Sequence, residues 1–239
     1  MSDRRQFLRT TLLALGGATI AGCDRISESE TGPRVLDSAE AVNRRVQHFL
    51  SPSQALAREY AESDISAVFK PNGTLMPDTP LYQGLMKGGF VDYRLDVGGL
   101  VEKPTRLSID ELRALGMRTQ ITRHDCVEGW SAIGKWTGTP LGAFLRRVGA
   151  DLTAKYVHFV CAEGYSVSID MPTALHAQTQ MTFRFDGEIL PTRLGFPMRI
   201  RMPVKLGFKN PKHVIGLAVL NNYTGGYWED RGYNWFSGL

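Results

Sequence analysis

The sequence predicts an α+β domain built on a mixed sheet, running from about residue 66 to residue 239. Three observations predict it. Stretches with strand patterning outnumber stretches with helical patterning, and the two kinds follow one another in an irregular order instead of alternating. The composition, 43% hydrophobic and 22% charged over 239 residues, supports one sizeable core. The formal charge of +4 is modest and the basic residues are spread along the chain, which excludes the clustered pattern of a nucleic-acid-binding surface.

Ahead of that domain, residues 1–23 read as an export signal. Arg4 and Arg5 precede an apolar run from Leu12 to Ala21, too short to remain in a bilayer but suited to a signal core. The Arg4-Arg5 pair followed by Phe7 and Leu8 resembles a twin-arginine signal, which engages an export machinery for folded proteins. Ile20-Ala21-Gly22-Cys23 resembles a lipobox, so that lipid on Cys23 would hold a periplasmic or cell-envelope lipoprotein at the membrane. Residues 24–65 read as a polar tether and a helical arm. Asp37 and Glu40 are placed to cap a helix carrying Val42, Val46, Phe49 and Leu50, and a second short helix is expected from Ser53 to Tyr60.

Within the domain, Tyr93, Leu95 and Val97 alternate ahead of a Gly-Gly turn, a strand signal. Ser108 and Glu111 form a capping box for a helix carrying Leu112 and Leu115 and stopped by Gly116. "RTQITR" is a strand leading to Cys126, followed by an irregular stretch containing Gly129, Gly134 and Gly138. Thr139 and Pro140 are expected as N-cap and first residue of a helix with Phe144, Leu145 and Val148. "KYVHFVCAEGYSVSID" reads as strand, turn and strand, "FRFDGEILP" as a hairpin about Asp186-Gly187, and residues 197–220 as two strands joined by a basic loop.

Chemistry concentrates at "TRHDCVEGW". Cys126 follows a strand and is flanked by His124, Asp125 and Glu128, an environment open to a buried thiol, a nucleophile paired with His124, a disulfide to Cys161, or a metal ligand. Zinc is disfavoured, since the chain has neither a Cys-x-x-Cys nor a His-x-x-x-His pair.

The wider stretch "TRHDCVEGWSAIGKWTGTPLGAFL", with "KYVHFV", "GFPMRI" and "PVKLGFKNPK" in the same order, resembles the sulfite oxidase family of molybdopterin-dependent oxidoreductases. Its nearer likeness is to the periplasmic branch that reduces methionine sulfoxide in proteins. The resemblance implies a sulfite-oxidase-type molybdopterin-binding fold and one molybdenum-molybdopterin cofactor. Cys126 would be the metal ligand, Arg199 and the Asn210-Pro211-Lys212 loop would bind the cofactor, and Asn72 and Cys161 would lie against the pterin. Glu128 is the candidate proton donor to a departing oxygen.

The chain departs from the family pattern at two places. Leu194 stands where relatives often carry Asn or His. Val127, Glu128, Gly129, Trp130 and Ser131 occupy the positions at which true sulfite oxidases have sulfite-binding arginines. An acidic, aromatic surround disfavours a small dianion. The expected reaction is therefore oxygen-atom transfer from a small-molecule or protein-bound S-oxide or N-oxide. Sulfite oxidation and a cofactor-free lipoprotein binding module are the alternatives. With the sequence ending at "GGYWEDRGYNWFSGL", no added dimerisation or haem domain is expected. A monomer and a separate membrane haem or quinone-linked electron partner are expected.

Overall fold

The computed structural model of the chain describes residues 55–239, with scattered positions between Ser29 and Val46. The chain separates into two units, Met1–Leu50 and Ser51–Leu239. In the first, Val42 and Val46 are helical, in line with the expected arm helix, while Asp37, Glu40, Phe49 and Leu50 lie outside the described residues. The expected export signal and lipobox, residues 1–23, lie outside them too.

The second unit is built on two sheets. One contains β1 (Leu95–Gly99), β2 (Thr105–Leu107), β5 (Tyr156–Cys161), β6 (Ser166–Asp170) and β10 (Val214–Leu220), in the order β2-β1-β10-β5-β6. Strands β1 and β10 run parallel while the other neighbours are antiparallel, which makes the sheet mixed. The other sheet follows the order β3-β4-β7-β8, from β3 (Arg118–Asp125), β4 (Ser131–Pro140), β7 (Gln180–Phe185) and β8 (Glu188–Ile189). A short strand, β9 (Arg199–Arg201), also pairs with β7.

Both sheets contribute to one core. It joins Leu95 and Val97 of β1, Phe159 of β5 and Leu217 of β10 to Met181 and Phe183 of β7. The helices α2 (Ile109–Arg113), α3 (Leu141–Arg147) and α4 (Met171–Leu175) add Leu112, Leu141, Phe144 and Met171 to it. A smaller aromatic cluster of Phe69, Trp136 and Phe185, with Leu190 and Leu194, joins the β4–β7 region to the loop before α1 (Pro80–Lys87).

Several expected elements form for the expected reasons. Helix α2 starts on the Ser108–Glu111 box, with Ser108 N–H donating to Glu111 Oε2 at 2.8 Å and Glu111 N–H to Ser108 Oγ at 3.3 Å. The β7–β8 hairpin turns at Asp186 and Gly187, both with positive φ, as a two-residue turn of this kind requires. Helix α1 was not expected from the sequence; Thr79 caps it, and Pro80 supplies its first residue.

Four expectations need correction. The helix expected over Ser53–Tyr60 is not formed at residues 55–60. The Gln178 side-chain amide brackets the Ala57 backbone at 2.8 and 2.9 Å, and Glu59 bridges to Thr122 of β3, so this segment lies extended along a strand edge. The glycine-rich stretch after Cys126 is not irregular: residues 131–140 form a ten-residue strand, β4, paired with β3 and β7. Thr139 does not cap α3; it lies within β4, which runs to Pro140, and its hydroxyl donates to Leu112 O at 2.8 Å. Cys126 and Cys161 are free thiols, not a disulfide.

Candidate active site

Cys126 sits at the tip of the β3–β4 hairpin, directly after the Asp125–Ser131 pair. Its N–H donates to Trp130 O at 2.9 Å, and Gly129 N–H returns to Cys126 O at 3.1 Å. Gly129 adopts φ 84°, a conformation that favours glycine and turns the loop so sharply. The buried thiol lines a cavity of about 360 Å³.

Four other segments complete the cavity. Asn72, Gly73 and Thr74 come from the loop before α1, and Glu163 and Tyr165 from the β5–β6 turn. Gly207, Phe208, Asn210, Pro211 and Lys212 come from the β9–β10 loop, and Tyr227 and Trp228 from the carboxy-terminal segment. Asn72 Nδ2 lies 3.7 Å from Cys126 Sγ. Of the residues singled out from the sequence, Asn72, Cys126, Glu128, Asn210, Pro211 and Lys212 therefore converge on one cavity.

Arg199 and Cys161 do not line it. Arg199 is buried behind the β9–β10 loop, donating to Leu194 O at 3.0 Å and Asn210 O at 3.4 Å. Its guanidinium lies over the Trp136 ring at 5.1 Å, and its Nε has no hydrogen-bond partner. Cys161 ends β5, buried, and burial pushes its thiol well above the ordinary range.

The loop itself is held from behind. Asn210 Oδ1 accepts from Arg201 at 3.1 Å and from Met202 N–H at 2.6 Å, so its amide is turned into the fold while the residue lines the cavity. Lys212 gives its ammonium protons to the carbonyls of Asn72, Thr74 and Arg193, which ties the Asn72 loop to the cavity wall. Lys209 Nζ donates to Ser168 O at 2.7 Å and pairs with Glu229, both side chains being almost wholly buried.

Arg201, Lys205 and Glu163 were missed by sequence reasoning. Arg201 is fully buried beside Arg199, and its guanidinium donates to Arg123 O at 2.6 Å, bracing the strand that carries the thiol. Burial lowers Lys205 to about 7 and Lys212 to about 8, and raises Glu163 to about 7. An arginine in a short apolar strand is the one signal that marked this region. Nothing local distinguishes Glu163 from a surface turn residue.

The nucleophile reading of Cys126 finds no support in the geometry. Burial raises the Cys126 thiol and drives His124 well below its ordinary value, so both shifts oppose a thiolate–imidazolium pair. The His124 ring instead packs against Phe69 and Trp130, and neither of its nitrogens has a hydrogen-bond partner. Among the described residues, no three His, Cys, Asp or Glu side chains converge on one point, so a metal at Cys126 would draw its remaining ligands from a bound group. The donor set fits a bound anionic cofactor with a soft metal. A sulfur donor stands at the cavity wall, several buried cations crowd behind it, and an arginine Nε among them is left without an acceptor.

The comparisons with known proteins agree. Residues 86–228 match the oxidoreductase molybdopterin binding domain. A protein of Azospira oryzae, provisionally named protein-methionine-sulfoxide reductase subunit YedZ1, is 48% identical over 98% of this chain and 87% of its own length. The protein-methionine-sulfoxide reductase catalytic subunit MsrP of Ralstonia nicotianae is 30% identical over 65% of this chain, and the match spans about half (51%) of that relative. The sulfane dehydrogenase SoxCD from Paracoccus pantotrophus superposes with a TM-score of 0.52 at 23% identity, over 56% of this chain and 39% of its own, a likeness of fold. With the matched domain covering the two sheets and all of the cavity lining except residues 72–74, the chain belongs to the molybdopterin-binding oxidoreductase family to which the sulfite oxidases belong.

Proposed function

We propose that this oxidoreductase reduces an S-oxide, and that the substrate is methionine sulfoxide in oxidised proteins. The observation that carries the reading is Cys126, whose thiol opens onto a cavity bounded by the family's cofactor loop on one side and by Glu128, Tyr227 and Trp228 on another. The printed names of the Azospira and Ralstonia relatives support the substrate class. An N-oxide is a second oxygen donor of the same chemistry.

Sulfite oxidation is less well served. The Glu128 carboxylate lines the cavity and, among the described residues, no arginine does, so a small dianion would meet a negative group where it needs donors.

The cofactor, when bound, supplies the two-electron redox chemistry. The chain's own residues do the rest. Cys126 would be the protein's ligand to the metal, and because burial raises its thiol it would have to give up a proton to serve as one. Residues 210–212 and 72–74, which line the cavity, would hold the pterin, and Arg199 and Arg201 hold the first of these loops in register. Lys212 joins the two loops, so it fixes Asn72 beside the sulfur. The aromatic rings of Tyr227 and Trp228 give the mouth an apolar surface on which a thioether side chain can rest. Electrons come from a separate membrane haem or quinone-linked protein. Residues 1–23 direct twin-arginine export to the periplasm, residues 24–65 tether the enzyme to the envelope through lipid on Cys23, and residues 66–239 do the chemistry.

The test is made on protein purified from a molybdenum-competent host. Stoichiometric molybdenum and pterin are expected, with dye-driven turnover of sulfoxides well above that of sulfite. Cys126→Ser is expected to abolish turnover, a loss of at least roughly a thousandfold for removal of the metal's protein ligand. Colourless, metal-free protein would identify a cofactor-free binding module instead, and full activity in Cys126→Ser would remove the thiol from the reaction.

A further inference from the structure

Two carboxylates line the cavity, and they differ in kind. Glu128 is at the rim, half-exposed, accepting from Trp130 Nε1 at 2.9 Å and lying 3.9 Å from Lys70. Glu163 is set inward on the β5–β6 turn, and its Oε2 is buried with no hydrogen-bond partner.

The groups facing Glu163 are Lys212 from the β9–β10 loop, Tyr82 from α1, and Cys161 and Tyr165 from its own hairpin. Each polar donor among them is committed elsewhere. Lys212 gives its protons to three carbonyls, Tyr82 donates to Phe196 O at 2.7 Å, and Tyr165 to Phe208 O at 2.5 Å. A buried carboxyl oxygen left without a donor favours carrying its own proton. Burial accordingly lifts the group from 4.5 to about 7. The two tyrosines are lifted too, Tyr82 to about 12, so neither gives up a proton near neutrality.

We propose that Glu163, and not Glu128, delivers a proton to the oxygen that leaves the sulfoxide. This deepens the sulfoxide-reducing reading and rests on it. Reduction of R2SO to R2S takes two electrons and two protons and releases the oxygen as water. The electrons come from the separate haem or quinone-linked donor. Glu163 supplies one proton: its O–H bond breaks as an O–H bond forms on the departing oxygen, leaving the carboxylate. Solvent at the cavity mouth supplies the second proton and then reprotonates Glu163. An acid held near neutral pH is matched to that work, since it is protonated at rest and gives the proton up readily.

The test uses the full chain and two readouts. The first needs no turnover. An isotope-edited infrared titration of the carboxyl groups, wild type minus Glu163→Gln, is expected to show one carboxyl that ionises close to neutrality and disappears in the variant. The second is dye-driven sulfoxide reduction against pH. Because the acid form is the working form, kcat falls as pH rises through the Glu163 pKa. Glu163→Gln is expected to lose kcat by roughly 100-fold or more, with KM and molybdenum content kept and the alkaline fall gone. Glu163→Asp is expected to restore part of the rate with a displaced fall, and it carries the test if the glutamine variant does not fold.

A carboxyl that titrates in the ordinary range overturns the proposal, as does a variant with wild-type kcat and pH profile. Loss of molybdenum along with activity would make Glu163 a cofactor-holding residue and overturn it equally. Absence of any sulfoxide turnover beside a near-neutral carboxyl would place the failure in the substrate reading, not in the acid.

Discussion

His213 shows how burial of one side chain sets the behaviour of the fold in acid. It is fully buried at the base of the cofactor loop, in a left-handed conformation, with Nδ1 placed 2.9 Å from Phe196 O and the Tyr82 ring edge-on at 5.1 Å. Burial lowers it from 6.5 to about 4. Between those values the unfolded chain binds a proton that the folded chain does not, so stability is complete above 6.5, falls as the pH drops, and levels off near 4. The shift corresponds to about 3 kcal/mol. Denaturant unfolding between pH 7 and pH 4 is expected to show a fall that is shallower by about that amount in His213→Gln. Parallel curves for the two proteins would refute it. His124, lowered by burial as well, leaves a residual fall in the variant. At this scale Cys126 stood out from its sequence neighbours, whereas Glu163 and His213 did not, because what shifts them is contact with residues far away in the chain.

Strand β4 is the element on which sequence reading failed, and the reason is physical. Its glycines, which mark a loop in isolation, serve close approach: a Cβ on Gly138 would lie 2.1 Å from Met181 O, at the point where the β4–β7 register shifts. Gly134 is tight for a different reason, with the Phe185 ring 2.6 Å from where its Cβ would be. A backbone carbonyl cannot step aside, while an aromatic ring can turn. Gly138→Ala is therefore expected to destabilise the domain by about 3 kcal/mol, measured by thermal or denaturant unfolding, and Gly134→Ala by less. The reverse order would mean that the β4–β7 pairing is looser than its register implies. Strand β3, which the sequence did show, buries a polar face of Gln120, Thr122 and His124, of which Gln120 donates to Gln178 O and Thr122 accepts from Arg201.

For the whole molecule, the division into Met1–Leu50 and Ser51–Leu239 falls inside the segment 24–65 that the sequence reads as tether and arm. Every residue lining the cavity lies in the second unit. Replacing Arg4 and Arg5 by lysine is expected to leave active enzyme in the cytoplasm, and Cys23→Ser to release active enzyme from the membrane fraction. Fractionation with activity staining checks both. Unchanged export of the lysine variant would rule out the twin-arginine route, and continued membrane retention of the serine variant would rule out the lipid anchor. Among the described residues no helix is long and apolar enough to cross a membrane.

The sequence by itself determined the α+β class, the capped helix at Ser108 and the hairpins at Gly164 and Asp186-Gly187, and it singled out Cys126. Each of these is written in a few adjacent residues, where turn, cap and strand preferences act. Only the tertiary structure decided that Arg199 lies behind the β9–β10 loop instead of in the cavity, that Lys212 ties the Asn72 loop down, and that Glu163 has a buried oxygen without a donor. Those outcomes depend on which segments meet. Residues 163 and 212 meet because β5 pairs with β10, Lys212 holds Asn72, and β3 turning back on β4 presents Cys126 to the same cavity. Burial at that meeting point, which no local pattern encodes, then sets their charges.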